Sequence, residues 1–381
     1  MERVVQETVN QAQRLLQAAG DGLRVETIFV GGGTPSCLPP ALLRGLLGAF
    51  SSCRPSEWTV ESNPETLSGA FLEECMRAGV TRLSVGIQSL RSEYLAVLQR
   101  RATREQALAA ITLLRRKWQG RVNLDFITGI PGQTVDEVRQ DLDVVGEGWP
   151  DHVSLYQLTV EPGTPLEAQV RDGTLRTNHP ARDEELWLAG RDELQARGYR
   201  QYEVSNFAVP GMECAHNLRY WHLQPYCGAG PGAVSTVPAE WAAQVAGQPR
   251  LSSPGPGGRG PVARLSAPRD IHGFLQGAAG SWGMETELIQ PSDFLLECLM
   301  MGLRIAEGIP QHEIRSRFGR GLQELFPGLW EQWIEQGHAA PFDGSWRLTP
   351  SGLMILDHLL GEIVERLPRE QVDSAGVSWP P

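Results

Sequence analysis

The chain has 381 residues, 41% of them hydrophobic and 21% charged, with a formal net charge of -11, which gives room for one large domain and a smaller one in ordinary globular proportions. Clustered Lys and Arg are lacking, which argues against a general nucleic-acid binder, since phosphate neutralisation requires them. No apolar run approaches the length of a membrane span and the polar, acid-containing start does not read as a signal sequence, so a cytoplasmic location is expected.

In chain order, Val, Leu and Ala at helical spacing predict a helix from Met1 to about Ala19, ended by Gly20. Thr27–Pro35, TIFVGGGTP, then delivers a short apolar run into three glycines, a threonine and a proline. This predicts a buried strand, Ile28–Val30, and a loop that a ligand approaches closely, because glycines strip the Cβ atoms from the rim and Thr34 adds a hydroxyl. A tight turn without a ligand is the alternative. Helices are predicted over Leu38–Phe50, Leu67–Ala78, a stretch ending near Leu98, Thr103–Trp118 and Val135 to about Val145. Between them lie strands at Trp58–Val60, Arg82–Ile87 and Val122–Ile127. Strands at His152–Val160 and Tyr199–Asn206 flank one more helix, roughly Ala181–Ala196.

Strands spaced by single helices imply right-handed βαβ units and a parallel sheet, curved into a full or partial barrel. In such a barrel the carboxyl ends of the strands carry the site. Those ends read Gly31 to Thr34, Glu61 with Asn63, Gln88, Asp125 and Thr159. Helix capping would explain a single Asn, Asp or Thr, but not Glu61 and Gln88, which are poor caps. The set predicts a pocket for a polar small molecule.

Cys214–Trp221, CAHNLRYW, puts a histidine, an amide and two aromatics into one loop, followed by a glycine-rich stretch at Tyr226–Ala233. His216 could be an axial metal ligand, a general acid or base, or a hydrogen-bonded core histidine. Tyr220 and Trp221 suit a flat aromatic ligand or an ordinary core. Residues 238–284 lose periodicity and gain Gly, Pro and Ser, predicting a long flexible connection with one short strand. Helices over Phe294–Leu303, Pro310–Phe318, Leu322–Gln336 and Leu353–Leu367, with a short strand at Trp346–Leu348, predict a small winged-helix-like α+β domain over 285–368. It carries no basic recognition helix, so a packing or docking role is expected. Residues 369–381 are expected to form a tail, disordered from Asp373, and residues 1–237 the barrel domain.

From Ile28 to about Leu360 the sequence resembles the radical S-adenosylmethionine proteins related to oxygen-independent coproporphyrinogen III oxidase. His216-Asn217 and Tyr220-Trp221 match the HNxxYW motif of the heme chaperone branch, and Tyr156–Thr159 (YQLT) and Gln201–Ser205 (QYEVS) resemble that branch too. The resemblance implies an α/β fold with a partial parallel (β/α) barrel of radical SAM type. It implies that Gly32, Gly33 and Thr34 lie against the methionine part of S-adenosylmethionine, that Glu61, Gln88, Arg100 and Asp125 surround its polar groups, and that Thr159 and Val234 line adenine and sugar. Heme would be bound by His216, Asn217, Tyr220 and Trp221, with His216 as axial ligand and Cys214 a weaker alternative.

The family also implies a first strand and a CxxxCxxC loop whose three thiolates hold a [4Fe-4S] cluster. None of the six cysteines, Cys37, Cys53, Cys75, Cys214, Cys227 and Cys298, falls at that spacing. The barrel is therefore expected to lack its first strand, the cluster to be unligatable by this chain, and the true start to lie upstream. The implied function is a heme chaperone that passes heme to a recipient heme protein, which could be membrane-associated, with S-adenosylmethionine and the cluster as family cofactors. The alternatives are radical oxidative decarboxylation of coproporphyrinogen III and a cluster-less binding module that retains the fold.

Overall fold

A computed structural model describes residues 1–19, 24–246, 260–277 and 280–378. The chain forms two compact units, Val25–His216, and Met1–Arg24 together with Asn217–Pro381. The division thus falls between His216 and Asn217 rather than at 237, and the first helix, Glu2–Ala19, belongs with the later part of the chain. Its partners explain this. The helix packs against the helices Ala239–Ala246 and Ile271–Gln276, and Gln11 accepts the backbone N–H of Gly230 at 2.8 Å.

The unit Val25–His216 is built on a seven-stranded sheet: β1 Thr27–Val30, β2 Glu57–Ser62, β3 Arg82–Gln88, β4 Arg121–Thr128, β5 His152–Gln157, β6 Arg200–Gln201 and β7 Asn206–Ala208. The order is β1-β2-β3-β4-β5-β7-β6. The first five are parallel neighbours joined by helices, giving a partial barrel-like sheet, while β7 runs antiparallel to β5 and β6. Two expected strands are corrected here. Tyr199–Asn206 is a tight antiparallel pair rather than one strand, because the Glu203 carboxylate accepts the Ser205 N–H at 3.0 Å and bonds Asn206 Nδ2, turning the chain. The strand from His152 stops at Gln157, before a turn that enters the helix Pro165–Arg171.

Alternation along the parallel strands, interrupted by a bulge between Gly86 and Gln88, separates two faces. Val60, Leu83, Val85, Ile87, Leu124, Phe126, Val153 and Leu155 are buried in a core shared with the helices Gly69–Ala78, Arg104–Lys117 and Pro180–Ala196. The alternate positions carry Glu57, Thr59 and Glu61, then Arg82, Ser84, Gly86 and Gln88, then Arg121, Asn123 and Asp125, then His152, Ser154 and Tyr156. A parallel sheet buried by hydrocarbon on both sides reads as continuous Val, Ile and Leu. This one keeps its inner face polar, which suits a polar ligand.

The second unit holds two further sheets. One is antiparallel, ordered β10-β9-β8, from β8 Val234–Pro238, β9 Val262–Ser266 and β10 Glu285–Ile289. The expected flexible connection is therefore structured on both sides of residues 247–259, which lie outside the described residues. Val262, Ala263 and Leu265 give β9 the apolar residues that bury it. The other sheet, ordered β11-β13-β12 from β11 Ile309–Pro310, β12 Ala339–Phe342 and β13 Ser345–Leu348, packs with helices Pro291–Gly302, Gln311–Phe318, Leu329–Glu335 and Leu356–Arg366 around Trp330, Trp333 and Trp346. The predicted helix Leu322–Gln336 is broken, because Pro327 and Gly328, at φ 75°, end the turn Leu322–Leu325 before Leu329–Glu335 begins. The predicted helix Leu353–Leu367 begins earlier and divides into Pro350–Met354 and Leu356–Arg366. The tail is ordered further than expected, since Arg369–Ala375 is helical and Val377, 1% exposed, pairs with Gly260. Residues 379–381 lie outside the described residues.

Candidate functional site

The carboxyl ends of β1, β2 and β3 converge on the glycine loop. Gly32 adopts φ 95°, which only glycine takes at little cost, and neither Gly32 nor Gly33 would meet any atom within 4 Å if given a Cβ. The loop therefore presents bare backbone to open space. Its Gly32 N–H donates to Glu61 Oε2 at 3.1 Å, and Thr34 Oγ1 accepts from Asn63 Nδ2 at 3.0 Å. Gly31 is packed tight. A Cβ there would lie 2.6 Å from Glu61 Oε2 and 2.7 Å from Phe29 Cε1. Gly31→Ala is expected to destabilise the protein by about 1–3 kcal/mol, measured by urea unfolding, as the Glu61 carboxylate is driven off the Gly32 amide.

Gln88 ends β3 in the left-handed region, at φ 67°, which is uncommon for a residue with a side chain. Its amide folds back over Gly86, where a Cβ would lie 2.7 Å from Nε2 and 3.3 Å from Asn63 Oδ1. Glu61, Asn63, Gly86 and Gln88 thus form one polar wall. Asp125 lies on the adjoining strand, across from Gly86 in register. It is held by Asn123 Nδ2 at 2.8 Å and Ser84 Oγ at 3.2 Å. Burial raises the pKa values of both carboxyls. For Glu61 the neighbouring Asp125 charge adds to the rise and the Gly32 N–H opposes it; for Asp125 the Ser154, Asn123 and Ser84 bonds and the Arg100 charge oppose it. Glu61 thus bonds the glycine loop, and the Asp125 charge acts on Glu61. Thr159 lies exposed two residues beyond β5, and Val234 begins β8 in the other unit.

The segment expected as a loop at Cys214–Trp221 is a helix, Ala215–Trp221. Helical spacing sets His216 and Tyr220 on one face and Asn217 and Trp221 on the next. Its amino-terminal end is anchored by residues the sequence reading did not single out. Glu57 and Arg82, 2% and 1% exposed, form a buried ion pair at 2.9 Å where β2 and β3 begin. Glu57 Oε1 accepts from Cys214 Sγ at 3.1 Å and from the His216 N–H at 3.0 Å, while Arg82 donates to the carbonyls of Met212 and Glu213 at 3.0 and 3.2 Å. Burial would raise the Glu57 carboxyl, but Arg82 beside it and the His216 N–H hold it below its ordinary value.

The His216 ring stacks on Phe29 at 5.3 Å, and its Nδ1 lies 2.9 Å from Thr27 Oγ1. Burial lowers its pKa, so the imidazole is held neutral, as a metal ligand must be. The expected site residues of this unit therefore fall in two places, the glycine cradle past the end of β1 and His216 beside its start, with the Phe29 ring reaching both. In the second unit, the Tyr220 ring meets Tyr226 edge-on at 4.6 Å, and the buried Trp221 Nε1 has no hydrogen-bond partner among the described residues. Arg317 donates to the carbonyls of His222 and Leu223 just past the helix, at 2.8 and 3.2 Å.

The family profile described as the Radical SAM superfamily matches residues 1–145, and the HemN C-terminal domain matches residues 289–355. The mitochondrial radical S-adenosyl methionine domain-containing protein 1 of Bos taurus is 35% identical over 94% of this chain and 80% of its own length. The chain belongs to the radical SAM superfamily, in its HemN and HemW branch. The heme chaperone HemW of Escherichia coli is 33% identical over 90% of the chain and 85% of its own length. In fold, the coproporphyrinogen III oxidase HemN of Escherichia coli superposes with a TM-score of 0.72, at 18% identity, over 95% of the chain and 83% of its own length. That likeness places the partial barrel-like sheet and a distinct C-terminal domain within the radical SAM architecture.

The residues present do not fit the family's cluster. Three thiolates at CxxxCxxC spacing do not occur in the sequence, and among the described residues no group of three or more His, Cys, Asp or Glu is placed to hold a metal ion. They do fit S-adenosylmethionine in class. The bare Gly32-Gly33 backbone, the Glu61 and Asp125 carboxylates and the Gln88 and Asn63 amides are the complements of a sulfonium, an ammonium and ribose hydroxyls.

Proposed function

We propose that the protein binds heme and transfers it to a heme-requiring recipient in the cytoplasm or at a membrane, with S-adenosylmethionine held at the glycine cradle. The observation that carries the reading is the way the start of the HNxxYW helix is fixed. A buried ion pair holds the backbone of residues 212–216, and Thr27 and Phe29 set the plane of a neutral His216 ring. Ligand histidines are commonly oriented through the ring nitrogen that does not bind the metal, and Thr27 at Nδ1 would leave Nε2 as the coordinating atom. Asn217, Tyr220 and Trp221 on the same helix supply an amide, a phenol and an indole N–H for the macrocycle and its carboxylates. The names of the relatives support the chaperone over the oxidase.

At the cradle, Glu61 and Asp125 would meet the cationic and hydroxyl groups of S-adenosylmethionine, with Gln88, Arg100 and Thr34 around them and Thr159 toward adenine and sugar. Bound there, the cofactor would order the ends of β1 to β3. Heme titration tests the main reading. His216→Ala is expected to weaken heme binding by roughly tenfold and to move the Soret band. Unchanged affinity and an unchanged band would remove His216 as the axial ligand.

A further inference from the structure

Behind Asp125 lie three buried polar groups, of which His152 and Tyr202 take no part in the roles described above. Asn123 on β4, His152 at the start of β5 and Tyr202 in the turn between β6 and β7 are 6%, 3% and 7% exposed. They form a chain of hydrogen bonds that ends on Asp125. Asn123 Nδ2 lies 2.8 Å from Asp125 Oδ1 and 2.8 Å from Ser84 Oγ. A carboxylate only accepts, so the amide must turn its NH2 toward Asp125 and its oxygen toward His152 Nδ1, 2.7 Å away. Nδ1 must then donate. The other ring nitrogen, 2.8 Å from the Tyr202 hydroxyl, must accept. Burial, together with the Arg82 charge, keeps the imidazole far below its ordinary pKa, so the ring is neutral and carries a single N–H. The bonds therefore run in one direction, from the Tyr202 hydroxyl to His152, from His152 to Asn123, and from Asn123 to Asp125.

We propose that His152 and Tyr202 are positioning residues that act through the Asn123 amide to hold the Asp125 carboxylate ready for the ligand of the glycine cradle. Without His152 Nδ1, the Asn123 oxygen keeps only the longer contact from Ser154 Oγ, 3.3 Å away, so Asn123 gains a flipped orientation that turns Oδ1 against Asp125, where two acceptors repel. Asp125 would then keep only its serine partners. The ligand's identity rests on the S-adenosylmethionine reading above, whereas the relay rests on the bond directions alone.

Calorimetric titration of the full chain with S-adenosylmethionine, beside NMR assignment of the His152 tautomer, tests the proposal. The expected result is an Nδ1–H ring, roughly tenfold weaker binding for His152→Leu and roughly threefold weaker for Tyr202→Phe. His152→Asn, whose amide can replace the Nδ1–H donor, should return to within about threefold of the parent chain. A merely structural histidine would lower the melting temperature of the Leu and Asn variants alike without separating their affinities, and that outcome overturns the proposal. So does unchanged binding by His152→Leu. If the parent chain does not bind S-adenosylmethionine, the reading of the ligand fails; the relay is then decided by the tautomer, and an Nε2–H ring overturns it.

Discussion

Glu57→Gln is expected to lower stability at pH 7 by about 3–5 kcal/mol, the cost typical of stranding one member of a buried ion pair. The charge left behind is the Arg82 guanidinium, 1% exposed, which would keep only the Met212 and Glu213 carbonyls and a neutral amide as partners. Replacing Glu57 and Arg82 together by Met should recover part of the loss, since no buried charge is left unpaired, while the His216 N–H and the Met212 and Glu213 carbonyls still lose their partners. The pH dependence has a definite sign. Glu57 is held below its ordinary value in the folded protein, so its contribution is complete above the unfolded carboxyl pKa, about 4.3, and is lost as pH falls through the folded value. Urea unfolding should therefore show the gap between parent and Glu57→Gln closing below about pH 4. A gap that stays constant into acid would mean that ionised Glu57 is not what stabilises the fold. Heme binding by the Met double variant separates the two roles of the pair, because recovered stability with weakened binding would show that the pair serves the His216 segment as well as the core.

The partial barrel was legible because alternation and glycine placement are local signals. RLSVGIQ and RVNLDFIT each display one apolar and one polar face, and TIFVGGGTP announces its open loop. Glu61, Asn63, Gln88 and Asp125 could be set on one wall because parallel strands bring their carboxyl ends to the same side. Glu57 and Arg82 were not legible as an anchor. They lie at the amino ends of their strands, where no functional residues are expected, and their partner segment is 130 to 159 residues away in sequence. The inner-face position they share with Glu61 and Gln88 was the one available signal. The mistaken strand at Tyr199–Asn206 and the broken helix at Leu322–Gln336 both come from apolar periodicity read across a turn. In one a carboxylate caps neighbouring amides, and in the other Pro327 and Gly328 interrupt the helix. The flexible connection misled in the opposite direction, since β9 is a five-residue strand between glycine- and proline-rich flanks and finds its partners only in tertiary structure.

Asp125→Asn should weaken S-adenosylmethionine binding by roughly tenfold to a hundredfold while leaving the unliganded protein more stable at pH 7. The two effects share one cause. Asp125 and Glu61 are desolvated carboxyls whose pKa values are raised in the folded state. A raised value means that folding is favoured with the proton on, so the contribution is fully present below the unfolded pKa and is lost as pH rises through the folded one. Ionising the buried pair therefore works against folding. An amide removes that charge and can still accept from Asn123 and bond Ser84, so the melting temperature is expected to rise by roughly 2 °C. Glu61→Gln should shift in the same direction, since burial and the Asp125 charge raise Glu61 as well. A cationic ligand reverses the balance, turning the repulsion between Glu61 and Asp125 into attraction for a shared charge. Saturating S-adenosylmethionine should accordingly raise the melting temperature of the parent chain above that of either variant. If Asp125→Asn lowers stability and binding together, Asp125 is a structural member of the network, and the cradle must take its affinity from backbone and amides alone.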